Sequence, residues 1–441
     1  MDTRGTIETY LLGALNSELE ELDKYAADRT TQFLYARARE LWWTAARLLG
    51  LGNLHDGAGQ RGLENRPVYD GAVPPSAQGR VLIDVTALRR FSFASGVQRV
   101  VREIARAAVE TGVGLPVFID DGRVHGYWRH AALPDEITFA AGDTLLLLDA
   151  GWGFAHEYPP IMEAVRRASG VTVAALYDII PLLYPAAVER ANGRAFEVWF
   201  DTVVTKADAV VAISKSVADD YIAHMRGRGR DAANLARVGH WPLGADFTVA
   251  VGAPSPLAKR IGDGSAFFLS VGTLEPRKAY PVALDAMERL WAEGVEARYV
   301  VVGRRGWNTR ALQRRLREHP EAGRRLFWLD AASDAELQYL YPRARALVFP
   351  SFAEGFGLPL VEAAHYGARV VASDIPVFRE VGGERGDYFD LLDPVALATR
   401  LRAALDSPPA PSPPETPVDW RQSAQLLADE IATLKNKTGT Q

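Results

Sequence analysis

At 441 residues the chain is too long for one ordinary hydrophobic core, so two or three domains are expected. Its hydrophobic share of 48% and charged share of 24% exclude global disorder, and its net charge of -5 gives no reason to expect a nucleic-acid partner. The chain has no cysteine, which excludes disulfides, thiolate metal ligands and a cysteine nucleophile.

Residues 1–78 are interpreted as an N-terminal helical extension followed by a linker rich in glycine and proline. The apolar side chains of its first helical stripe are Leu11, Leu12, Leu15, Leu19 and Leu22. The acidic N-terminus has no long apolar run, so neither a signal peptide nor a membrane-spanning helix is expected, and a cytoplasmic location is predicted. Because Trp42 and Trp43 lie among arginines, residues 5–50 either bind the inner face of the membrane peripherally or pack on the catalytic body or on a second subunit of a homo-oligomer.

From residue 79 onwards, short apolar runs alternate with helical stretches, the pattern of parallel strands covered by helices on both faces. The runs at 81–85, 144–149, 171–176 and 209–213 define a first α/β domain over 79–245. The runs at 267–271, 298–302, 346–350 and 369–373 define a second over 246–416. A proline-dense stretch precedes a last helix within 417–441, so the fold predicted is two Rossmann-like domains that face each other across a cleft.

The strongest local pattern is FPSFAEGFGLPLVEAA at residues 349–364, in which Glu354 and Glu362 are separated by seven residues. Glu354 falls in a glycine-rich turn after an apolar run, and Pro359 suits the first turn of a helix that contains Glu362. In open α/β folds, ligands bind beyond the carboxyl ends of the strands, and a helix N-terminus favours phosphate. The pattern therefore predicts a site for a phosphate-containing ligand.

This stretch resembles the Glu-x7-Glu signature of the retaining GT-B glycosyltransferases, the group 1 or family 4 enzymes that include sucrose synthases and many bacterial mannosyltransferases. The resemblance implies that Glu354 holds hydroxyls of the donor sugar together with the backbone N–H groups of Phe356 and Gly357, and it assigns Leu358 to the same donor site. It also implies that Glu362 holds the ribose hydroxyls. The alternative is that both glutamates are solvated carboxylates at a helix end.

A second loop, SVGTLEPRK at residues 270–278, brings Arg277 and Lys278 to the exit of a predicted strand. Fixed cations in a cleft that excludes water stabilise a leaving diphosphate without a metal ion. The loop resembles a subtype of the same family, which implies that Arg277 and Lys278 clamp the donor diphosphate and that Gly272 belongs to the donor site. The alternative is an exposed pair of cations with no partner role.

The first domain has two weaker patterns. Gly96 and Gln98 lie between a predicted strand and helix and resemble the family's glycine loop, which contacts the donor from across the cleft; a plain turn is the alternative. Tyr177 stands where the family often has a histidine near the donor sugar, so the identity of that sugar stays open. The adjacent Asp178 either binds the acceptor or caps the strand end.

Further positions complete the resemblance over about residues 80–435. Arg304, and Leu329 within 327–330, are assigned to the nucleotide side of the donor site because that stretch should run beside the nucleobase. Trp307 and Trp420 are expected to pack, and Trp420 should begin a helix that crosses back onto the first domain. The 8 histidines form no ligand-spaced pair, so no metal site is predicted.

The resemblance implies a retaining hexosyltransferase in which the leaving diphosphate helps to deprotonate the incoming hydroxyl. The expected partners are a nucleotide diphosphate sugar and a saccharide or lipid-linked saccharide acceptor of bacterial surface polysaccharide synthesis, with no separate cofactor. GDP-mannose is the first donor considered, and UDP-sugars, GDP-fucose and dTDP-rhamnose stay open. The alternatives are an inverting GT-B transferase or nucleotide-sugar epimerase, which would need a catalytic base in the first domain, and a catalytically silent GT-B scaffold.

Overall fold

Two β-sheets covered by helices form the framework of the protein in this computed structural model. The structure describes residues 3–24, 66, 68, 79–91, 95–129, 135–230, 235–245, 252–407 and 418–438. The strands of the first sheet are β1 (Val81–Asp84), β2 (Leu115–Asp120), β3 (Arg123–Gly126), β4 (Thr144–Leu147), β5 (Val171–Leu176), β6 (Ala209–Ala212) and β7 (Val238–His240). The strands of the second sheet are β8 (Phe267–Val271), β9 (Arg298–Val302), β10 (Leu326–Leu329), β11 (Ala346–Phe349), β12 (Val370–Ser373) and β13 (Asp387–Phe389).

Helices cover both faces of each sheet and connect successive strands. The helices before residue 250 are α1 (Thr3–Lys24), α2 (Thr86–Arg90), α3 (Gly96–Thr111), α4 (Tyr158–Arg167), α5 (Ile180–Leu183), α6 (Arg190–Thr202) and α7 (Lys215–Gly227). The later helices are α8 (Pro256–Ile261), α9 (Tyr280–Ala292), α10 (Arg310–Glu318), α11 (Asp334–Leu340), α12 (Leu358–His365), α13 (Pro376–Gly382), α14 (Pro394–Asp406) and α15 (Trp420–Thr438). Short 3-10 helices occupy Trp152–Glu157, Pro185–Ala187, Val204–Lys206, Pro276–Lys278, Tyr341–Arg343 and Gly383–Arg385.

The strand orders are β3-β2-β1-β4-β5-β6-β7 and β10-β9-β8-β11-β12-β13. In each sheet the order reverses at one place, between β1 and β4 and between β8 and β11, and open α/β sheets bind ligands beyond the strand ends at such a place. The second sheet is parallel throughout, as the sequence predicts. The loops that leave β8 and β11 therefore start side by side.

One edge of the first sheet differs from the all-parallel expectation, because β2 and β3 form an antiparallel hairpin. Asp121 (φ 45°) and Gly122 (φ 70°) between them both adopt the left-handed backbone conformation that two-residue hairpin turns require. Neither of the two flanking strands, β2 and β3, was among the strands predicted from the sequence. The hairpin forms the edge of the sheet opposite β7, with β2 next to β1.

The last helix returns to the first domain. α15 packs along α3, and Trp420 at its start is buried in the core beneath the first sheet. Gly244 approaches Trp420 so closely that an added Cβ would lie 2.6 Å from its ring. Trp420 thus packs, as the sequence indicated.

The N-terminal helix α1 also packs on the protein, but not every leucine of the predicted stripe is buried. Ile7 and Leu11 are buried in a hydrophobic core cluster, and Glu18 is buried with them. Leu12 is 62% exposed and Leu15 is 42% exposed, so these two leucines of the stripe do not take part in the packing of Ile7 and Leu11. Ile7, Leu11 and Glu18 share one helical face; Leu12 is rotated away from this face, and Leu15 lies at its edge.

The side chains of Leu19 and Leu22, together with Trp42 and Trp43, lie outside the described residues. The predicted contact of residues 5–50 with a membrane therefore stays a prediction, as does a homo-oligomer. Among the residues that the structure describes, no helix is both long enough and apolar enough to cross a bilayer.

Candidate functional site

Four charged side chains of the second domain form a compact group, which we call the ion cluster: Glu275, Arg277, Lys278 and Glu354. Glu354 lies between the two cations, with its Oε2 2.7 Å from Arg277 Nη1 and its Oε1 2.5 Å from Lys278 Nζ. Arg277 Nε also donates to Glu275 Oε2 at 2.8 Å. The structure thus brings together three residues that the sequence analysis singled out from two separate loops.

The sheet reversal explains this meeting. Arg277 and Lys278 lie in the 3-10 helix after β8, and Glu354 lies in the loop after the adjacent β11. The two loops are joined by a hydrogen bond from the backbone N–H of Phe352 to the carbonyl of Arg277 (3.0 Å). Directly after Lys278, Ala279 is held in the left-handed region with φ 47°, a strained conformation for a residue with a side chain and one that recurs at functional sites.

Burial and charge act in opposite directions on Glu354. Burial by itself would raise the pKa of Glu354, but the positive charges of Arg277 and then Lys278 outweigh it and lower this pKa to about 2. Burial lowers the pKa of Lys278, which the negative charge of Glu354 partly counteracts. Glu354 is therefore a permanently ionised acceptor, with a side chain only 7% exposed.

The ion cluster has a second acidic member, Glu275, and an acidic neighbour in the first domain, Asp178. Glu275, which the sequence analysis overlooked, is buried and pairs with Arg277. Asp178 of the first domain interacts electrostatically with the cluster: burial raises the pKa of Asp178 above its usual value, and the positive charge of Arg277 only partly counteracts this. Asp178 Oδ1 accepts the N–H of Ile180 at 2.9 Å, so the strand-end cap considered from sequence is present.

The two domains meet closely at this point. Gly355 lies so near to the backbone of Tyr177 that an added Cβ would be 2.0 Å from its carbonyl oxygen. Gly355 also accepts a hydrogen bond from Ser214 Oγ of the first domain at 2.8 Å. The Tyr177 hydroxyl, in contrast, donates to the Leu148 carbonyl at 3.0 Å within the first domain. A side chain at position 355 would force the domains apart.

The second glutamate of the motif has partners in both domains. Glu362 Oε1 lies 2.6 Å from Arg99 Nη1, which belongs to α3 of the first domain. Glu362 Oε2 accepts a hydrogen bond from the Tyr341 hydroxyl at 2.6 Å. Sequence reasoning missed both partners, although Arg99 lies one residue beyond Gln98 in the first turn of the helix that follows the glycine loop.

Glycines allow the backbone to approach at the positions predicted for the donor site. Gly272 has φ 143°, and an added Cβ would be 3.3 Å from Lys278 Cε. Gly357 has φ 92° and precedes α12, whose first turn contains Leu358. Gly96, at the start of α3, faces Leu358 across the domain boundary, with 3.9 Å between its ideal Cβ position and Leu358 Cδ1.

The remaining predicted residues lie around this centre. Phe356 is buried and packs in the core of the first domain, and Gln98 is buried with a side-chain oxygen that has no hydrogen-bond partner among the described residues. Leu329, at the end of β10, is buried in the second domain, and Arg304 follows β9 with an exposed side chain. Neither Leu329 nor Arg304 is part of the ion cluster.

Two other findings bear on the sequence analysis. Trp307 packs between the domains and donates its indole N–H to the Ala187 carbonyl at 2.9 Å. Within the described ranges, no group of three or more His, Asp or Glu residues is arranged to hold a metal ion.

Comparison with known proteins relates the region of the ion cluster to a glycosyltransferase family. The family model described as "Glycosyl transferases group 1" matches residues 257–426, which include the whole ion cluster and Glu362. Residues 257–426 of the chain belong to this family. Its relatives include the serotype-specific mannosyltransferase WbdA of Escherichia coli, which is 32% identical over 379 residues that cover 80% of this chain and 46% of WbdA. The chain thus spans about half the length of the WbdA proteins it matches.

A second relative of this group 1 chain is O-antigen chain mannosyltransferase B of Escherichia coli, 38% identical over 144 residues that cover 32% of the chain and 36% of that protein. Among solved structures, the catalytic domain of starch synthase IV from Arabidopsis thaliana covers 83% of the chain and all of its own length, with a TM-score of 0.54 and 12% identity. HepE of Anabaena in complex with UDP and glucose covers 82% of this chain and 98% of its own, with a TM-score of 0.51 and 15% identity. These likenesses confirm the predicted GT-B fold.

Proposed function

We propose that this chain transfers a hexose from a nucleotide diphosphate sugar, with retention of anomeric configuration, to a saccharide or lipid-linked saccharide in surface polysaccharide synthesis. GDP-mannose is the proposed donor. The observation that carries the proposal is the ion cluster at the sheet reversal, where Arg277 and Lys278 flank Glu354. The two relatives described above are mannosyltransferases, which supports mannose as the transferred sugar.

The geometry suits a diphosphate that carries a sugar. Arg277 and Lys278 supply fixed positive charge in a partly closed cleft, where it is more effective than in water. The N-terminus of α12 adds backbone N–H groups directly after Gly357. Glu354, ionised over the whole physiological range, is an acceptor for hydroxyls of the transferred sugar.

The proposed reaction needs no protein nucleophile. The bond between the anomeric carbon and the diphosphate oxygen breaks, and the electron pair leaves with the diphosphate. The acceptor hydroxyl forms the new bond on the same face of the sugar and gives its proton to a diphosphate oxygen. Arg277 and Lys278 stabilise the negative charge that develops on the leaving group.

Glu362 is proposed to bind the ribose hydroxyls, but both of its carboxylate oxygens already have partners in this structure. Tyr341 fixes one carboxylate oxygen from a buried position, while Arg99 occupies the other from across the cleft. Ribose binding to Oε1 therefore requires Arg99 to give way. Arg99 and Glu362 thus form a contact between the domains that competes with the nucleotide.

Replacing Arg99 with alanine is expected to raise the affinity for bare nucleoside diphosphate by about two- to fivefold, because partly exposed ion pairs are worth up to ~1 kcal/mol. Isothermal titration with GDP measures this affinity. Arg102→Ala removes the same charge from an exposed position of the same helix and serves as the control. A loss of affinity specific to Arg99→Ala would show that Arg99 binds the nucleotide instead of competing with it.

The proposal also predicts that a chelator does not change the rate. Since Arg277 and Lys278 supply the charge that a divalent ion would otherwise provide, transfer in the presence of EDTA should proceed as in its absence. Initial rates with and without EDTA, and after adding back Mg²⁺, measure the effect. A rate that EDTA abolishes and Mg²⁺ restores would contradict this part of the proposal.

A thermal-shift screen tests the donor assignment directly. A ligand that binds only the folded state raises the unfolding temperature in proportion to the logarithm of its concentration over Kd. GDP and GDP-mannose should stabilise the protein more than UDP, ADP, dTDP and their sugars. A larger shift with another nucleotide would show that the donor carries that base instead of guanine. The absence of any shift or turnover across the panel would favour a catalytically silent scaffold.

A further inference from the structure

Three aromatic rings from three different parts of the chain meet beside the ion cluster. Tyr10 of α1 packs edge-on against Phe352, with ring centroids 5.9 Å apart. Tyr184, directly after α5 of the first domain, also packs edge-on against Phe352, with ring centroids 5.4 Å apart. Phe352 belongs to the loop after β11, two residues before Glu354. We call Tyr10, Tyr184 and Phe352 the aromatic trio.

The trio is connected to the charged groups through the backbone. The N–H of Phe352 donates to the carbonyl of Arg277, and Arg277 Nη1 in turn donates to the carbonyl of Ala353 at 3.2 Å. The same nitrogen is 2.7 Å from Glu354 Oε2. A displacement of Phe352 would therefore move both the cation and the carboxylate that we propose to hold the donor.

Helix α1 is anchored well enough to act as a support. Ile7 and Leu11 lie in one core cluster with Ile180 of the first domain and Tyr280 of the second. Farther along, Glu18 Oε1 accepts the N–H of Ala311 at 2.9 Å in the first turn of α10. The helix thus contacts both domains and is held at two points along its length.

We infer that α1 is part of the catalytic unit and that Tyr10 is a positioning residue, which fixes the Phe352 loop and with it the Arg277–Glu354 pair. This inference rests on the proposed function for its effect on rate, but its structural half can be measured without any donor. The hydroxyl of Tyr10 is not needed for this role, because the contact with Phe352 is made by the ring.

The experiment compares Tyr10→Ala, Tyr10→Phe and Leu12→Ala, the last on the exposed face of the same helix. In Tyr10→Ala, amide hydrogen exchange of the segment 349–357 should become faster, and kcat should fall about tenfold with the donor KM within about twofold, since small displacements of catalytic groups act mainly on the reaction step. Tyr10→Phe should restore both properties, and Leu12→Ala should change neither. Tyr10→Leu, which keeps most of the apolar volume, replaces Tyr10→Ala if the latter does not fold.

The outcomes separate the two claims. Unchanged exchange of 349–357 in Tyr10→Ala, or wild-type kcat with the ring removed, overturns the positioning role. An equal loss in Tyr10→Phe overturns it too, because the ring would then not be the cause. Wild-type protein that transfers no sugar from any donor overturns the proposed function alone, and hydrogen exchange still decides the role of Tyr10.

Discussion

Replacing Lys278 with alanine is expected to lower kcat by about 100-fold or more while the protein stays folded, because the variant loses one of two fixed charges that stabilise the leaving diphosphate. Lys278 Nζ lies 2.5 Å from Glu354 Oε1 in a side chain that is 9% exposed. Glu354 keeps its bond to Arg277 in this variant, so no buried carboxylate is left without a partner. Steady-state kinetics with the nucleotide sugar measure the effect.

Lys259→Ala is the matched control, because Lys259 is an exposed lysine of α8 in the same domain. The circular dichroism spectrum and unfolding temperature establish that each variant is folded. Turnover of Lys278→Ala equal to that of the control would remove Lys278 from the proposed diphosphate clamp.

Substitution of the two glutamates of the motif should affect different properties: nucleotide affinity for Glu362 and turnover for Glu354. Glu362→Ala is expected to weaken binding of bare nucleoside diphosphate by about 1.5–3 kcal/mol, or roughly 10- to 150-fold, because hydrogen bonds to a charged group carry that much free energy. Glu354→Ala is expected to leave this affinity near the wild-type value and to abolish turnover of the nucleotide sugar, since Glu354 is proposed to contact only the transferred sugar. Calorimetric titration with GDP, followed by kinetics with GDP-mannose, measures both.

Glu354→Ala also removes the partner of two buried cations, so Glu354→Gln, which keeps the side-chain volume, is the second variant. If both positions lose nucleotide affinity equally, or if Glu354→Gln and Glu354→Ala both turn over the donor at the wild-type rate, the roles assigned to the two glutamates are wrong.

The repeated strands and helices of the fold could be predicted because buried parallel strands leave continuous apolar runs, such as those at β5 and β8. What sequence reasoning overlooked were elements with weak patterns. The hairpin of β2 and β3 has no such run in its second strand, and β7 and β13 have only three residues each. Their positions depend on pairing with neighbouring strands, which the local sequence does not encode.

At the site, too, local patterns locate the residues of the ion cluster but not the long-range partner of Glu362. Two loops supply the ion cluster, and both match motifs of the family. Arg277, Lys278 and Glu354 could therefore be assigned to one site, and the strands that precede the loops, β8 and β11, are neighbours in the sheet. Arg99 pairs with Glu362 across 263 positions of sequence, and no local pattern gives that distance. The position of Arg99 in the first turn of α3, facing the same cleft as Gly96, was the available signal.

The N-terminal helix shows a further difference. The choice between membrane contact and packing on the body stayed open from sequence, since leucines occur on several faces of α1. The structure shows that its residues 3–24 pack on the body through Ile7 and Leu11. Leu11 is buried in a cluster that also contains Phe352 and Leu312 of α10, both more than 290 residues away in the sequence.

The configuration of the product tests the central claim most directly. GDP-mannose carries mannose in the α configuration, so retaining transfer predicts an α-linked product, which the one-bond coupling between the anomeric carbon and its hydrogen identifies by NMR. A β-linked product would contradict the account, because inversion requires a general base on the opposite face of the sugar. Asp178, a buried carboxylate of the first domain that interacts electrostatically with Arg277, would then be the residue to examine.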